Sequence, residues 1–425
     1  MARFAQLLLH SSRMTEAEHI PPVWILSLPW LIFGMVPGFA IVTLPQMLLA
    51  QGISGGRIAF AVAVILSPIV WNFPLAPVLD VRFRRRTYAV AFGGLAVLAT
   101  AVTVIEHSSL REVEAVMIVG MFAICMYQSA VGGWVGSLIG QGQDSRLGAW
   151  STIFNISGNG IGVLISGYAT ERLSAMPAAL VILLAFLAPM LVFPLIPAPA
   201  PGKLLVNENF SRFAREVAVL LKRREVLATL GLFALPAASF ALTNALGGWS
   251  EDFRAPASLV SMLSGAGLIL GSILGCSFVP LLARKWPLRP LYLAIGLIGA
   301  AFTLTLLLLP RAPATFGLAF MGENLFQSAA IATSLAITFE VIGSGNPLAA
   351  TTFALLAAAM NLPIDYMEMV DARGYDSHGL AGAFIADALI GAGACLLLAV
   401  LLRGSLFPDQ SVRNMTRAST KPSVG

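Results

Sequence analysis

The 425-residue sequence has little charge. Only 11% of its residues are Asp, Glu, Lys or Arg, whereas 57% are hydrophobic. A soluble domain carries about 25% charged residues, and it could not cover its surface with so few polar groups. In a bilayer the protein has no such need, because the surrounding hydrocarbon is itself apolar. The composition therefore excludes a soluble domain and predicts an integral membrane protein.

Cysteine and histidine are scarce and poorly placed for chemistry. The three cysteines, Cys125, Cys276 and Cys395, lie inside apolar runs, and the sequence has no CxxC or Cys/His cluster. None of the four histidines lies inside an apolar run. This pattern leaves no disulfide framework, and no histidine pair that could hold zinc or haem in the membrane. We therefore expect neither a metal nor a cofactor.

Motifs of nucleotide chemistry and hydrolysis are missing as well. The sequence has no GxxxxGK[ST] loop, no Gly-rich dinucleotide fingerprint after a strand, and no serine in a nucleophile elbow. The N-terminus does not read as a secretory signal, because its only apolar stretch, 7–9, is far too short. These absences disfavour an enzyme and an ATP-driven pump.

Long apolar segments, in contrast, recur along the whole chain. About 20 apolar residues in a helix cross a hydrocarbon core of roughly 30 Å. We predict spans near 23–45, 57–79, 87–105, 113–139, 148–169, 177–197, 227–248, 257–283, 288–309, 313–339, 347–370 and 379–402. The chain is thus predicted to be an all-α membrane protein with twelve transmembrane helices.

Basic residues set the predicted orientation. With the N-terminus inside, 20 of the 26 Lys and Arg fall in cytoplasmic segments. The net charge of +5 is then a topology signal and not a nucleic-acid footprint. We expect both termini in the cytoplasm and no nucleic-acid partner. The remaining basic residues, predicted outside, are Arg57, Arg111, Arg172, Arg254, Arg311 and Arg373.

The longest internal polar stretch, 198–226, divides the chain into two halves of six spans. Its apolar residues recur at helical spacing, which predicts either an amphipathic helix on the cytoplasmic membrane surface or a plain linker helix. The predicted division is a cytoplasmic N-terminus 1–22, a six-helix bundle 23–197, the linker 198–226, a six-helix bundle 227–402 and a cytoplasmic tail 403–425.

Two short basic loops occupy equivalent places in the two halves. One loop, 75–86, follows span two, and the other, 279–289, follows span eight. Parallel repeats of this kind are typical of a large class of secondary transporters. In the first loop an acid, Asp80, precedes three basic residues, Arg84, Arg85 and Arg86.

This loop resembles the signature loop of the major facilitator superfamily, which reads roughly Gly-x-x-x-Asp-Arg-x-Gly-Arg-Arg. Ala76 and Val81 depart from that pattern. The resemblance implies two pseudo-symmetric six-helix bundles, with the loop acting as a gate that pins the cytoplasmic ends of the spans together in one state. A carboxylate beside fixed cations at a helix end forms charge-assisted bonds that can be made and broken. The alternative is that the loop only sets the topology.

A narrower resemblance rests on three segments: Gly322–Leu325, Ala350–Leu356 and the opening 38–54. They resemble the AmpG-type muropeptide permeases, whose clan includes acetyl-CoA transporters and single-chain siderophore permeases. The run 361–375 departs from the muropeptide pattern, because it carries carboxylates not expected in that group. The resemblance implies import into the cytoplasm without choosing the solute.

Ionisable residues inside the spans are the strongest functional signal. A charge in hydrocarbon is costly, so it faces the bundle interior or a wet cavity. Glu323 lies on a polar face of span ten that we expect to line the cavity, and Asp387 lies in span twelve. Both are proton-coupling candidates, with a permanently paired structural carboxylate as the alternative. Asp365 and Glu368 are candidates for the outer mouth, or for simple interfacial placement.

Uncharged polar residues in several spans could bind a polar solute, and hydrogen bonding between helices is the alternative for each of them. Pro37 and Pro236 lie in corresponding helices and predict kinks that would suit gating. The predicted cavity residues are Asn72, Tyr127, Gln128, Asn155, Asn159, Ser239, Thr243, Asn244, Asn324, Gln327 and Ser334.

Together these features predict a secondary active transporter of the inner membrane. It would move a small polar or anionic solute by alternating access, as a monomer and by proton-coupled import. A siderophore or other metabolite permease of the same fold remains open, and an exporter is disfavoured. From other classes, a membrane-embedded enzyme needs clustered catalytic residues, whereas the acids here are dispersed. A receptor or assembly factor would tolerate loss of the Glu323 face.

Overall fold

The computed structural model describes residues 20–106, 109–140, 142–199, 215, 218–220 and 222–403. Within them the chain forms twelve helical elements, which we number α1 to α12. The first six are α1 (Val23–Ala50), α2 (Gly55–Trp71, continued by a 3-10 helix Phe73–Asp80), α3 (Arg85–Ile105), α4 (Leu110–Gly136), α5 (Asp144–Arg172) and α6 (Ala175–Leu195).

The second half has six further elements. α7 comprises Arg224–Ala234, Leu242–Ala245 and a 3-10 turn Ser250–Phe253, and α8 comprises Ala257–Met262, a π-helical turn Leu263–Gly267 and Leu268–Leu282. They are followed by α9 (Leu288–Leu306), α10 (Pro313–Ile342) and the helical run Ala349–Leu401. That run breaks at His378 and Gly379, which separates α11 (349–377) from α12 (380–401).

The predicted all-α fold of twelve helices is confirmed in the described part of the chain. By length and composition alone, eight helices could cross a membrane, or nine if the bent pair in α2 is one span. The other three helices do not meet this criterion of length and composition, each for a physical reason. α5 is too polar, α7 is broken, and α11 and α12 count as one helix. Large apolar side chains such as Leu191 and Val400 are exposed on the outside, as expected of a lipid-facing surface.

The boundary between α11 and α12 corrects the sequence prediction. The span was expected to end near residue 370, but the helix continues to residue 377 before it breaks. The helix therefore includes Asp371, which the prediction had placed in a loop. Gly379 has a φ of +63°, a conformation that favours glycine, and this residue turns the chain into α12.

Both predicted kinks are present. α1 is α-helical through Gly38 and then makes a π-helical turn over Phe39–Thr43, just after Pro37. In α7 the first helix ends at Ala234, and the irregular segment 235–241 contains Pro236. Backbone groups left open inside a membrane must find other partners. The Tyr366 hydroxyl donates to the Ala234 carbonyl oxygen at 2.9 Å, one of several such bonds from neighbouring helices.

Close helix packing rests on glycine. A Cβ placed on Gly34 of α1 would lie 1.9 Å from the backbone oxygen of Asn155 on α5. On the facing side, a Cβ on Gly158 would lie 2.3 Å from the backbone oxygen of Leu31. The two backbones therefore touch, as small residues permit in membrane helices. This contact fixes the positions of the polar residues of α5 in the first half.

Several predicted features lie outside the described residues. They include most of the amphipathic linker helix, the N-terminus through residue 19 and the tail from residue 404. The domain boundaries and the cytoplasmic location of the termini remain predictions. For brevity we call the end of the bundle that holds residues 80–85, predicted to be cytoplasmic, the inner end. The opposite end is the outer end.

Candidate functional site

The two halves of the molecule are joined at the inner end by Asp80. Its carboxylate accepts hydrogen bonds from the Ala350 backbone N–H at 3.1 Å and the Thr351 backbone N–H at 2.8 Å. The Thr351 hydroxyl also donates to it, at 2.7 Å. A carboxylate at the start of α11 satisfies open backbone donors and complements the positive end of the helix dipole. Asp80 of the first half thus caps a helix of the second half.

Arg85 completes this connection. Its Nε donates to Asp80 Oδ1 at 2.8 Å, and its Nη2 donates to the carbonyl oxygens of Asn346 and Pro347 at 3.0 and 2.8 Å. The guanidinium therefore binds both the end of α2, at Asp80, and the opposite half of the molecule. We call the set of Asp80, Arg85 and Thr351 the latch. Arg84 and Arg86 line a cavity of about 230 Å³ beside it.

Backbone packing reinforces the latch at the inner end. A Cβ on Gly133 of α4 would lie 2.4 Å from the backbone nitrogen of Ala350. On α5, a Cβ on Gly148 would lie 2.3 Å from the backbone oxygen of Ala332 on α10. Both contacts cross between the halves, so the described part of the inner end is closed.

The packing of α5 against α8 is looser toward the outer end. Gly160 and Gly167 lie on one face of α5, two turns apart, because seven residues nearly complete two turns. A Cβ on Gly160 would lie 3.3 Å from the Ile269 side chain of α8, a tight contact, whereas Gly167 has nothing within 4 Å. The contact between these helices therefore loosens outward.

Some of the predicted cavity residues are accessible. Gln128, Asn155 and Asn159 of the first half are partly exposed. In the second half, the Gln327 amide donates to the Thr243 hydroxyl at 2.7 Å, and both residues are partly exposed. Uncharged amides from both halves are thus available to a solute near the middle of the bundle.

Other predicted cavity residues are buried, which corrects their assignment to the lining. Asn72 donates to the carbonyl oxygen of Pro68, and Asn324 to that of Phe320, each within its own helix. Tyr127 donates to the Pro29 carbonyl oxygen at 2.8 Å. Their polar atoms are therefore satisfied by the protein. Ser239 and Ser334 are buried as well, and the Ser334 hydroxyl lies against the Met360 sulfur.

The carboxylate of Glu323 is enclosed and does not line an open surface. The residue has no exposed area, and its Oε1 accepts a hydrogen bond from the Thr303 hydroxyl of α9 at 2.6 Å. Its other oxygen has no partner in the described chain. The expectation that this side chain lines the cavity was wrong about its direction, since it turns toward α9. Asp387 is also buried, at 7% exposure.

The two outer-mouth candidates differ from each other. Asp365 is exposed, whereas Glu368 is partly buried and accepts a hydrogen bond from the Asn244 amide of α7. That bond connects the broken helix α7 to α11 on the outer side of the break. Both residues therefore lie on the outer part of α11.

Sequence reasoning missed three residues of this arrangement. Thr351 belongs to the latch, and Thr303 holds Glu323. Asp371 is fully buried, and neither of its carboxylate oxygens has a partner in the described chain. The run Gly343–Pro347 before α11 signals a helix start and could have pointed to Thr351. The other two needed the tertiary structure.

Solved structures share the fold. The bacterial homologue of the iron transporter ferroportin in its outward-facing state has a TM-score of 0.62 and 13% identity, and the match covers 89% of this chain and 98% of that chain. The human organic anion transporter MFSD10 (TETRAN) has a TM-score of 0.66 and 18% identity over 89% and 100%. For the E. coli fucose:proton symporter FucP the values are 0.65 and 15% over 88% and 98%.

These identities are low, so the likeness to solved structures shows the fold alone. No curated protein matches the chain in sequence. The sequence model of the Major Facilitator Superfamily matches residues 26–364, which is most of the chain. The chain belongs to the Major Facilitator Superfamily.

Proposed function

We propose that the protein is a secondary transporter that imports a small polar or anionic solute across the inner membrane, coupled to protons. One observation carries the proposal. The latch joins the two halves through hydrogen bonds and one ion pair, and these can break without unfolding either half. Above it, amides from both halves are accessible. Opening the latch while closing the outer end would move a solute between the two sides.

The lining favours hydrogen bonding over charge pairing. Gln128, Asn155 and Asn159 offer donors and acceptors, whereas Arg85 supplies positive charge only at the closed inner end. A polar solute would first meet the amides, and an anionic one would also be drawn toward the latch once it opens. Among proteins of the same fold, one is named an organic anion transporter and another a fucose:proton symporter. Those names fit both solute classes.

The narrower family remains part of the proposal. The segments Gly322–Leu325 and Ala350–Leu356 resemble the AmpG-type clan, and the second begins at the residue that binds Asp80. The run 361–375, which includes the buried Asp371, carries acids that are not expected in the muropeptide pattern. We therefore favour another metabolite, with siderophores the first alternative.

Uptake into proteoliposomes tests the proposal. The full-length protein is reconstituted and an inward proton gradient is imposed, and siderophores, anhydro-sugar peptides and acyl-CoA compounds are screened as solutes. We expect accumulation of one class above equilibrium, and its loss when an ionophore collapses the gradient. A solute that equilibrates at the same rate with and without the gradient would remove proton coupling. Asp80→Ala serves as the latch variant.

A further inference from the structure

Asp371 is the most unusual side chain in the described part of the protein. It lies in α11, six residues before the helix end, with no exposed area and no hydrogen-bond partner for either oxygen. An unpaired charge enclosed in hydrocarbon costs several kcal/mol even after local relaxation. Such a group persists only where it binds something or serves a function.

The crossing of α11 and α12 brings a second acid to the same level. A Cβ on Gly374 would lie 2.7 Å from the backbone oxygen of Gly382, so the two antiparallel backbones touch there. Asp371 lies three residues from this crossing on α11, and Asp387 lies five residues from it on α12. At 1.5 Å per residue these positions differ in depth by about 3 Å. The two residues therefore lie at a similar depth on adjoining helices.

Glu323 of α10 is the third member. Phe320 of α10 and Phe384 of α12 pack in one buried hydrophobic cluster, and Glu323 and Asp387 each lie three residues farther along the same helices. The two acids therefore lie at a similar level of the bundle. The oxygen of Glu323 that Thr303 does not bind is enclosed, as are both oxygens of Asp371, and none of the three has a partner among the described residues. Three helices thus supply one enclosed group of carboxyls.

Asp371 has no ion-pair partner among the described residues, and Arg373, the basic residue nearest to it in the chain, is exposed. Glu368 is held by Asn244 of α7, and Thr303 is the polar neighbour from α9. Farther toward the outer end, the Tyr375 hydroxyl donates to the Asp252 carboxylate at 2.6 Å. Three carboxyls this near one another in a low dielectric cannot all be ionised. The group must therefore hold bound cations.

We propose that Glu323, Asp371 and Asp387 form one proton-binding site enclosed between α10, α11 and α12, with Asp371 on the side of the outer end. A proton is favoured over a metal ion because no group of three acidic, histidine or cysteine residues in the described chain is arranged to hold a metal. Glu323 lies behind the accessible lining, one turn from Gln327. The proposal that this site binds a proton does not depend on the proposed function, whereas the role of that proton in driving uptake does.

Infrared difference spectroscopy tests this site directly. The full-length protein in lipid is compared between acidic and alkaline buffer, and the C=O band of protonated carboxyl groups is recorded. We expect the band to disappear at alkaline pH in the parent protein, and one of its components to be missing in Asp371→Asn and in Glu323→Gln. Asp365→Asn, an exposed acid on the same helix, is the matched control and should leave the band unchanged.

A difference spectrum of Asp371→Asn identical to that of the parent protein would overturn the site. So would loss of the band on replacing choline by sodium at constant pH, which would assign the site to a metal cation. Thermal unfolding gives a second measurement that does not depend on the spectra. The parent should lose stability as the pH rises and the site deprotonates, and Asp371→Asn should lose less of it. Equal pH dependence in both proteins would contradict the proposal.

The same variants separate this proposal from proton-coupled uptake. If the carboxyl band titrates but Asp371→Asn still accumulates solute with the proton gradient, the site stands and its role in coupling fails. If uptake follows the gradient while no buried carboxyl titrates, the site fails and the proposed function stands.

Discussion

The two halves of this transporter share a helix plan but differ in what they bury. The first half presents partly exposed amides, Gln128, Asn155 and Asn159, and its buried acid in the described chain is Asp80 of the latch. The second half buries Glu323, Asp371 and Asp387 inside its spans. An amide can bind a solute without a change of charge, whereas an enclosed acid can take up a proton. We infer that energy coupling is concentrated in the second half, whereas amides that could bind a solute are accessible in both halves.

The largest expected effect comes from removing an acid of the second half. Glu323→Gln should abolish accumulation driven by the proton gradient while exchange of labelled for unlabelled solute continues, because the amide cannot carry the proton. The measurement is uptake against counterflow in the same vesicles. Glu340→Gln on the same helix, whose partly exposed carboxylate pairs with Arg289, is the control. If Glu323→Gln still accumulates solute with the proton gradient, energy coupling does not depend on this acid of the second half.

The joint between the halves should give the next largest effect. In Asp80→Asn the amide N–H₂ would face a donor from Arg85 or Thr351. The free energy that favours the closed inner end should therefore fall by about 3 kcal/mol, the cost of losing one partner of a buried ion pair. Spin labels on Thr87→Cys and Lys285→Cys, one in each half, should show a longer inner distance. The native cysteines are buried and need not be replaced.

The control for this measurement is Arg289→Gln, which breaks a pair within the second half. That pair lies at the surface and should contribute only about 0–1 kcal/mol. An unchanged label distance in Asp80→Asn would show that backbone packing at Gly133 and Gly148 closes the inner end without the latch.

Removing an amide of the first half should have a smaller and different effect. Asn159→Ala should raise the KM for the solute several-fold, since one hydrogen bond contributes about 1 kcal/mol. The dependence on the proton gradient should persist, in contrast to Glu323→Gln. Tyr127→Phe is the matched control, because its hydroxyl bonds to Pro29 inside the protein. A loss of gradient dependence in Asn159→Ala would place coupling in both halves.

The smallest effect concerns acids that face each other across the inner end. Asp144 precedes the predicted span 148–169, and in the closed state burial raises the pKa of its carboxyl, with the charge of Glu340 adding to the rise. The protonated form therefore favours closure, and closure should weaken as the pH rises through this pKa. Asp144→Asn should remove that pH dependence of the label distance. A pH dependence that persists would assign it to another group.

Much of this fold could be predicted because the bilayer imposes simple rules. Length, hydropathy and the placement of basic residues gave twelve helices, and Asp80 with its arginines marked the inner loop. The directions of the side chains could not be predicted. Glu323 and Gln327 lie one turn apart on α10, yet one is enclosed against α9 and the other is partly exposed. Such a difference depends on the neighbouring helices, which hydropathy does not encode.

The sequence by itself determined an all-α fold of twelve helices, most of them apolar enough to cross a membrane, and it marked the loop that carries Asp80. Only the tertiary structure decided that Asp371 belongs to a helix, that the α11–α12 crossing brings it level with Asp387, and that Thr351 binds Asp80 across the molecule. The reason is physical. Partitioning into lipid depends on the composition of each segment, whereas burial of one carboxyl depends on contacts between segments far apart in the chain.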